Sequence, residues 1–334
     1  MMNNRNLFLT LLLMSLLTLG GMPIVGAAIE DPSAPPVPPG FASADDLMKA
    51  ITSGKIELIS LFNDIPDSIS AETNIVYGKG GDRDLQLDLY RPKKADQPLP
   101  LIIFIHGGGW KGGQRTDMSY YCLRFAEKGY ITATISYRFS KEAPFPAAVQ
   151  DTKCAIRFLR ANAARFGIDP DKIAVSGNSA GGHLSLMAGY SSDVPGLEGD
   201  GGNAGVSSRV QVVVDFYGPV DLTTEFARQQ GVVKDFLGKK TWEEDPDIYK
   251  QASPITCLTQ DDPPTLIFHG TIDNIVPVEQ ADQLEKRLKE LGIPCLYERI
   301  EGWPHTMDLA RSINDRCCYF MDKFFVEHLP LPKG

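Results

Sequence analysis

The sequence predicts an α/β fold, a mostly parallel twisted sheet of about eight strands with helices on both faces. Three observations predict it. Short apolar runs alternate with segments of helical period from residue 101 to residue 326, and such alternation builds a parallel sheet because each helix carries the chain back to the same sheet end. A Gly-x-Ser-x-Gly element, Gly177-Asn178-Ser179-Ala180-Gly181, falls where a strand pattern gives way to a helix pattern. The 334 residues with 43% apolar content suit one large domain better than two small ones.

Taken from the N-terminus, Arg5 precedes an apolar stretch over 7–19, followed by Val25, Gly26, Ala27 and Ala28. This reads as a secretory signal peptide over residues 1–27, because the run is short for a bilayer and Val25 and Ala27 suit a peptidase that reads small residues. An uncleaved anchor is the competing reading. The leader implies a secreted or periplasmic protein without stable membrane association after cleavage. Residues 28–70 read as a proline-rich linker and N-terminal extension: Pro32, Pro35, Pro36, Pro38 and Pro39 predict a mobile extended segment. A weak helical pattern over 41–65 has no evident role.

The catalytic-domain candidate spans residues 71–334. Strand patterns at 74–77 and 85–90 flank Gly78, Gly80 and Gly81 and predict an antiparallel hairpin at a sheet edge. Then come alternating strands and helices: 101–105, 117–128, 131–136, 147–164, 173–176, 180–190, 210–216, 265–268, 278–291, 296–300 and 307–326. In the helix after Pro277, Val278, Ala281, Leu284, Leu288 and Leu291 recur at helical spacing, and Gly292 follows the last of them. Segments 193–208 and 223–253 break the rhythm and read as irregular excursions above the sheet. No large cap domain is expected.

The net charge of −9 and the lack of a basic run exclude a nucleic-acid partner. Six cysteines permit disulfides without specifying any. Cys122 and Cys317 each lie on an apolar helical stripe, which favours two buried thiols over a bridge between them. No metal-ligand spacing occurs, so no metal is expected.

In an open α/β sheet, ligands bind beyond the carboxyl ends of the strands, and four chemistry-bearing segments fall at such ends. Ser179 needs a strand-to-helix turn that lifts its hydroxyl towards a base. His106-Gly107-Gly108-Gly109-Trp110 follows the first parallel strand, where a glycine turn aims backbone N–H groups at an oxyanion. Gly107, Gly108 and Ala180 are therefore the expected oxyanion hole. Asp273 lies in a loop after residues 265–268 and His305 beyond residues 296–300, which gives the order Ser, Asp, His. His305 is the expected base and Asp273 the group that orients it. Asp215 and Asp221 are alternative acids, with turn fixing or helix capping as their plainer task. His183, one helical turn after Ser179, reads as a packed core residue. Trp110 and Trp303 adjoin the oxyanion turn and the base and are candidate substrate-binding residues, with packing as the alternative.

These residues resemble the α/β-hydrolase superfamily and, within it, the carbohydrate-esterase-like branch described as bifunctional feruloyl and acetyl esterases, similar to acetyl xylan esterases. The resemblance covers about residues 74–327 and rests on HGGGW at 106–110, SYR at 136–138, FPAAVQDTKCAIRFLR at 145–160, FGIDPDKIAVSGNSAGGHLS at 166–185, YGPVDL at 217–222 and HGTIDNIVP at 269–277. It implies a secreted serine esterase, free of cofactors, that hydrolyses acetyl or feruloyl esters of carbohydrates such as xylan. A hormone-sensitive-lipase-like carboxylesterase acting on small non-carbohydrate esters is the alternative, although Asn178 stands where those enzymes usually carry Asp. A non-catalytic hydrolase-like binding protein is a third reading. The expected partner is a small-molecule or polysaccharide ester substrate; the acyl group, the alcohol and the oligomeric state are left open.

Overall fold

The computed structural model describes residues 29–333 apart from Phe62 and Asp193, so the expected signal peptide lies outside the described residues. One eight-stranded sheet organises the chain, in the order β1-β2-β4-β3-β5-β6-β7-β8. Its edge is the expected hairpin, β1 (Ile69–Gly80) and β2 (Arg83–Pro92), which joins β4 (Ile131–Ile135) antiparallel. From β4 through β3 (Leu99–Ile105), β5 (Ile168–Asn178), β6 (Val212–Phe216), β7 (Thr265–Gly270) and β8 (Cys295–Ile300), every pairing is parallel.

Strand periodicity divides the core. On β3, Leu101, Ile103 and Ile105 face one apolar cluster while Ile102 and Phe104 face the other, as the two-residue repeat of a strand requires. The first cluster is closed by α3 (Ala147–Ala161), α5 (Ala180–Tyr190) and α10 (Glu279–Leu291); the second by α2 (Ser119–Glu127), α11 (Arg311–His328) and the small α1 (Ala44–Thr52). Helix α10 begins just past Pro277 and ends on Gly292 in the left-handed region at φ 71°, where glycine carries no steric penalty.

The structure departs from the sequence reading in four places. The helix expected over 147–164 breaks at Asn162 into α3 and the single turn α4 (Ala163–Phe166). The pattern over 307–326 divides into a 3-10 turn, Met307–Leu309, and α11. The excursion over 223–253 is helical: α6 (Glu225–Gln229), α7 (Gly231–Phe236) and α8 (Pro246–Gln251) precede the single turn α9 (Pro254–Cys257). Thr224 and Asp245 cap α6 and α8 with their side chains, a local signal that short polar helices give in place of amphipathic period.

The fourth departure is the N-terminal extension, which is extended as expected but tied to the body. The Ile29 N–H donates to Glu298 at 2.6 Å, Arg316 donates to the carbonyls of Pro35 and Ile29, and Asp31 pairs with Lys323 at 2.6 Å. All six cysteines are free thiols, with Cys122 and Cys317 buried and unbridged. No described helix is long and apolar enough to cross a membrane.

Candidate active site

Strand β5 ends at Asn178 and α5 begins at Ala180, so Ser179 forms the whole turn between them. Its backbone lies at φ 54° and ψ −119°, a strained conformation for a residue with a side chain. The surroundings hold it there. The Ser179 N–H donates to Phe216 O at 2.8 Å, and its carbonyl accepts from the His183 N–H. Gly181 permits the turn, because a Cβ at that position would lie 2.0 Å from Ile105 O.

The hydroxyl so presented donates to His305 Nε2 at 2.9 Å, and His305 Nδ1 donates to Asp273 Oδ2 at 2.6 Å. Three loops separated by up to 126 residues thus bring the expected nucleophile, base and acid into one hydrogen-bonded line. Burial by itself raises the Asp273 carboxyl, yet hydrogen bonds from His269 and His305 outweigh it and hold the group well below the usual carboxylate range. Its other oxygen accepts from the N–H groups of Ile275 and Val276, both at 2.9 Å. Asp273 is therefore an ionised acceptor, which sets His305 with its proton on Nδ1 and a lone pair towards Ser179.

The oxyanion turn is oriented from beneath. The buried Tyr137 hydroxyl donates to His106 O at 3.0 Å, and His106 Nδ1 donates to Gly107 O at 2.8 Å. In a trans peptide the N–H points opposite the carbonyl, so carbonyls held on the buried side turn the N–H groups of Gly107 and Gly108 towards the cleft. Gly107 adjoins the nucleophile, since a Cβ there would lie 3.3 Å from Ser179 Cβ. Ala180 opens α5, where the first N–H groups have no partner within the helix. Gly107 and Gly108 border one of the cavities at Ser179, and Ala180 borders the other.

The two tryptophans part company. Trp110 walls the cleft, stacks on Phe236 with centroids 4.3 Å apart and donates to His183 Nδ1 at 3.2 Å. Trp303 does not reach it. The loop after β8 turns this side chain into the second apolar cluster, where it is fully buried, and so sequence adjacency to His305 does not make it a substrate-binding residue. His183 is a core residue as expected: burial pushes it down to about 4 and its Nε2–H donates to Ala252 O. Neither alternative acid bonds to His305. Asp215 accepts from the Gly218 N–H, and Asp221 accepts from the backbone and hydroxyl of Thr223.

Sequence reasoning missed two contributors. His269, present in the sequence reading only within the stretch 269–277, places its Nε2 2.8 Å from Val276 O and 3.3 Å from Asp273 Oδ2. Tyr217, at φ 44°, lays its ring 4.5 Å from that of His305 and gives its hydroxyl to Asp308, which also accepts from Tyr121 at 2.9 Å. A chemistry-bearing residue at a strand end is the only signal either offered.

Two cavities meet at Ser179. The smaller, of about 200 Å³, is lined by Trp110, Pro219, Leu222, Phe226, Val233 and Val276. Its polar neighbour Gln280 spends its amide on the N–H groups of Val220 and Asp221 and on Asp221 O, so that a largely apolar wall is interrupted by Gln230 and Asn274. The other, of about 500 Å³, is open to solvent and is bordered by Lys111, Asp117, Asn178, His305 and Thr306 together with Leu61, Met118 and Leu309. Among the described residues, no cluster of His, Cys, Asp and Glu suits a metal ion.

The comparisons with known proteins agree with this architecture. The chain is 35% identical to Esterase LipC of Mycobacterium tuberculosis (strain ATCC 25618 / H37Rv) over 69% of its own length and 59% of LipC. It spans a similar share, 59%, of Esterase LipQ from the same organism, so about three-fifths of these curated relatives is matched. A truncated carbohydrate esterase from gut microbiota superposes with a TM-score of 0.66 at 32% identity, over 77% of this chain and 97% of that one. A thermophilic esterase from the planctomycete Thermogutta terrifontis, with propionate bound, gives 0.68 at 33% identity over 80% and 98%. The BD-FAE family model matches residues 87–288. With the matched span covering most of the sheet and the Ser179 and Asp273 loops, the chain belongs to the BD-FAE family of α/β-hydrolase esterases.

Proposed function

We propose that this chain is a serine carboxylic ester hydrolase that removes short acyl groups, acetyl or feruloyl in kind, from a carbohydrate outside the cytoplasm. The observation that carries the reading is the unbroken hydrogen-bonded line Ser179, His305, Asp273 at the mouth of an apolar cavity. In this reading His305 takes the Ser179 proton as the hydroxyl attacks the ester carbonyl. The N–H groups of Gly107, Gly108 and Ala180 receive the oxyanion, and the proton passes to the departing alcohol. Water then repeats the sequence to release the acid from the acyl-Ser179 intermediate.

The two cavities divide the ester. A cavity of about 150 Å³ holds a benzene ring, so the 200 Å³ apolar cavity suits a short acyl chain or a compact aromatic one. The open cavity with Lys111, Asp117 and Thr306 at its border suits a bulky hydroxylated alcohol. A second reading, a general carboxylesterase on small non-carbohydrate esters, is favoured by Leu61, Met118 and Leu309 in that same wall. Acetylated xylan, methyl ferulate and a chain-length series of nitrophenyl esters test both. Turnover of acetylated xylan supports the first, turnover of short nitrophenyl esters alone supports the second, and activity confined to long chains overturns both. Export is tested separately by N-terminal sequencing of protein recovered outside the cytoplasm, with Ala28 expected first.

A further inference from the structure

Trp303 stands two residues before His305, yet its indole points away from the cleft and meets the N-terminal segment. Its Nε1–H donates to Pro38 O at 3.4 Å, and its ring meets Phe41 edge-on with centroids 5.3 Å apart. The Phe41 N–H donates to Gly302 O at 2.7 Å. Here two backbones touch without side chains between them: a Cβ on Gly40 would lie 2.3 Å from Glu301 O, and one on Gly302 would lie 2.7 Å from Gly40 Cα.

On its other side, the same loop is sewn to the acid. The Ile272 N–H donates to Trp303 O at 3.2 Å, the Gly302 N–H donates to Thr271 Oγ1 at 2.8 Å, and the Thr271 N–H donates to Ile300 O. Residues 301–303 are thus held between the strap 38–41 and the loop that carries Asp273. A second anchor lies further along the strap, where Asp31 meets Lys323 and Tyr319. That anchor touches neither catalytic loop.

We propose that Phe41 is a positioning residue, which sets the Nε2 of His305 against Ser179 by clamping Trp303 and the backbone of Gly302. The proposal rests on the esterase reading for its kinetic consequence. Displacing a reacting group by about 1 Å costs up to a hundredfold in rate, and Pro304 alone separates the clamped tryptophan from the base. A merely structural strap would act on stability through both anchors alike; a clamp acts on turnover through one.

The full chain carries the test, with p-nitrophenyl acetate as substrate at a temperature where every variant is folded. Phe41→Ala is expected to lower kcat about tenfold with KM within about twofold of the parent, and to speed amide hydrogen exchange over residues 302–306. Phe41→Tyr, which keeps the ring, is expected to restore both. Asp31→Ala is expected to hold kcat within about twofold while lowering the melting temperature. Equal losses of kcat in Phe41→Ala and Asp31→Ala, or unchanged exchange over 302–306, overturn the clamp. Should Phe41→Ala fail to fold, Phe41→Leu reads the same quantities with a smaller expected loss. A parent that turns over no ester defeats the esterase reading, and the exchange measurement then decides the clamp alone.

Discussion

The two flanks of Ser179 are built to different tolerances. On the acid and base side, the loops after β7 and β8 are joined to each other by three hydrogen bonds through Thr271, Ile272 and Gly302, and the Asp273 carboxylate accepts from four donors. On the side of the smaller cavity, α6 and α7 are single short helices of 5 and 6 residues that present Phe226 and Val232 to it. The difference teaches a division of labour. Proton transfer demands geometry fixed to a fraction of an ångström, whereas an apolar wall needs only volume and surface.

The comparison breaks first at the chemistry. Ser179→Ala is expected to lower kcat by about 10⁴-fold or more while the protein keeps its fold and still binds substrate, as judged by circular dichroism and by product inhibition of the parent and variant. Asp273→Asn is expected to cost about a thousandfold or more in kcat, since a neutral amide fixes the wrong tautomer of His305. KM should move little in both, and a loss carried mainly by KM would mean that the rigid flank serves binding.

The flank that lines the smaller cavity should answer through specificity instead. Val232 borders both cavities, and its Cγ2 would lie 2.9 Å from a Cβ placed on Gly109. Val232→Ala is expected to raise the kcat/KM ratio of butyrate over acetate nitrophenyl esters by about tenfold, the low end of what a single methylene group commands in an apolar pocket. The rate on the acetate ester should hold. A general collapse of kcat in this variant would show that the wall also positions the triad.

This contrast explains what was legible in the sequence. The sheet and its helices are written as local periodicity, and the alternation over residues 101–326 points to a mostly parallel sheet without giving its strand order. The residues brought to the site carry distinctive chemistry at strand ends, so Ser179, Asp273, His305 and the glycine turn stand out one by one. Trp303 misleads because adjacency along the chain does not fix side-chain direction: the loop after β8 turns residue 303 into the core and residue 305 to the cleft. The strap is illegible for another reason. Its partners Glu298 and Arg316 are 269 and 287 residues away from Ile29, and a proline-rich stretch has no period to announce that it is fastened. Helices α6 to α8 are too short for an apolar stripe, and only α6 and α8 carry a side-chain cap to speak for them.

Beneath both flanks lies a carboxyl that obeys the opposite electrostatics from Asp273. Asp215, on β6, is fully buried, but among the described residues only the Gly218 N–H donates to it, at 3.0 Å. Burial therefore prevails and pushes it up to about 7 from the usual 3.8, with His269 nearby and the Gly218 bond offsetting a part. Between those two values the unfolded chain has lost the proton and the folded protein keeps it, so ionisation favours unfolding and stability falls as pH rises from about 4 towards 7. For Asp273, whose carboxyl is held low, the contribution has the opposite sign: it is present above the ordinary carboxylate value and is lost as pH falls below it. Asp215→Asn keeps the acceptor for Gly218 and removes the ionisation. Urea midpoints for parent and variant should therefore lie close at pH 4 and separate in favour of the variant by pH 8. A parallel pair of curves across that range would mean that Asp215 is ionised in the folded protein, and that the number of donors alone does not set the two carboxylates apart.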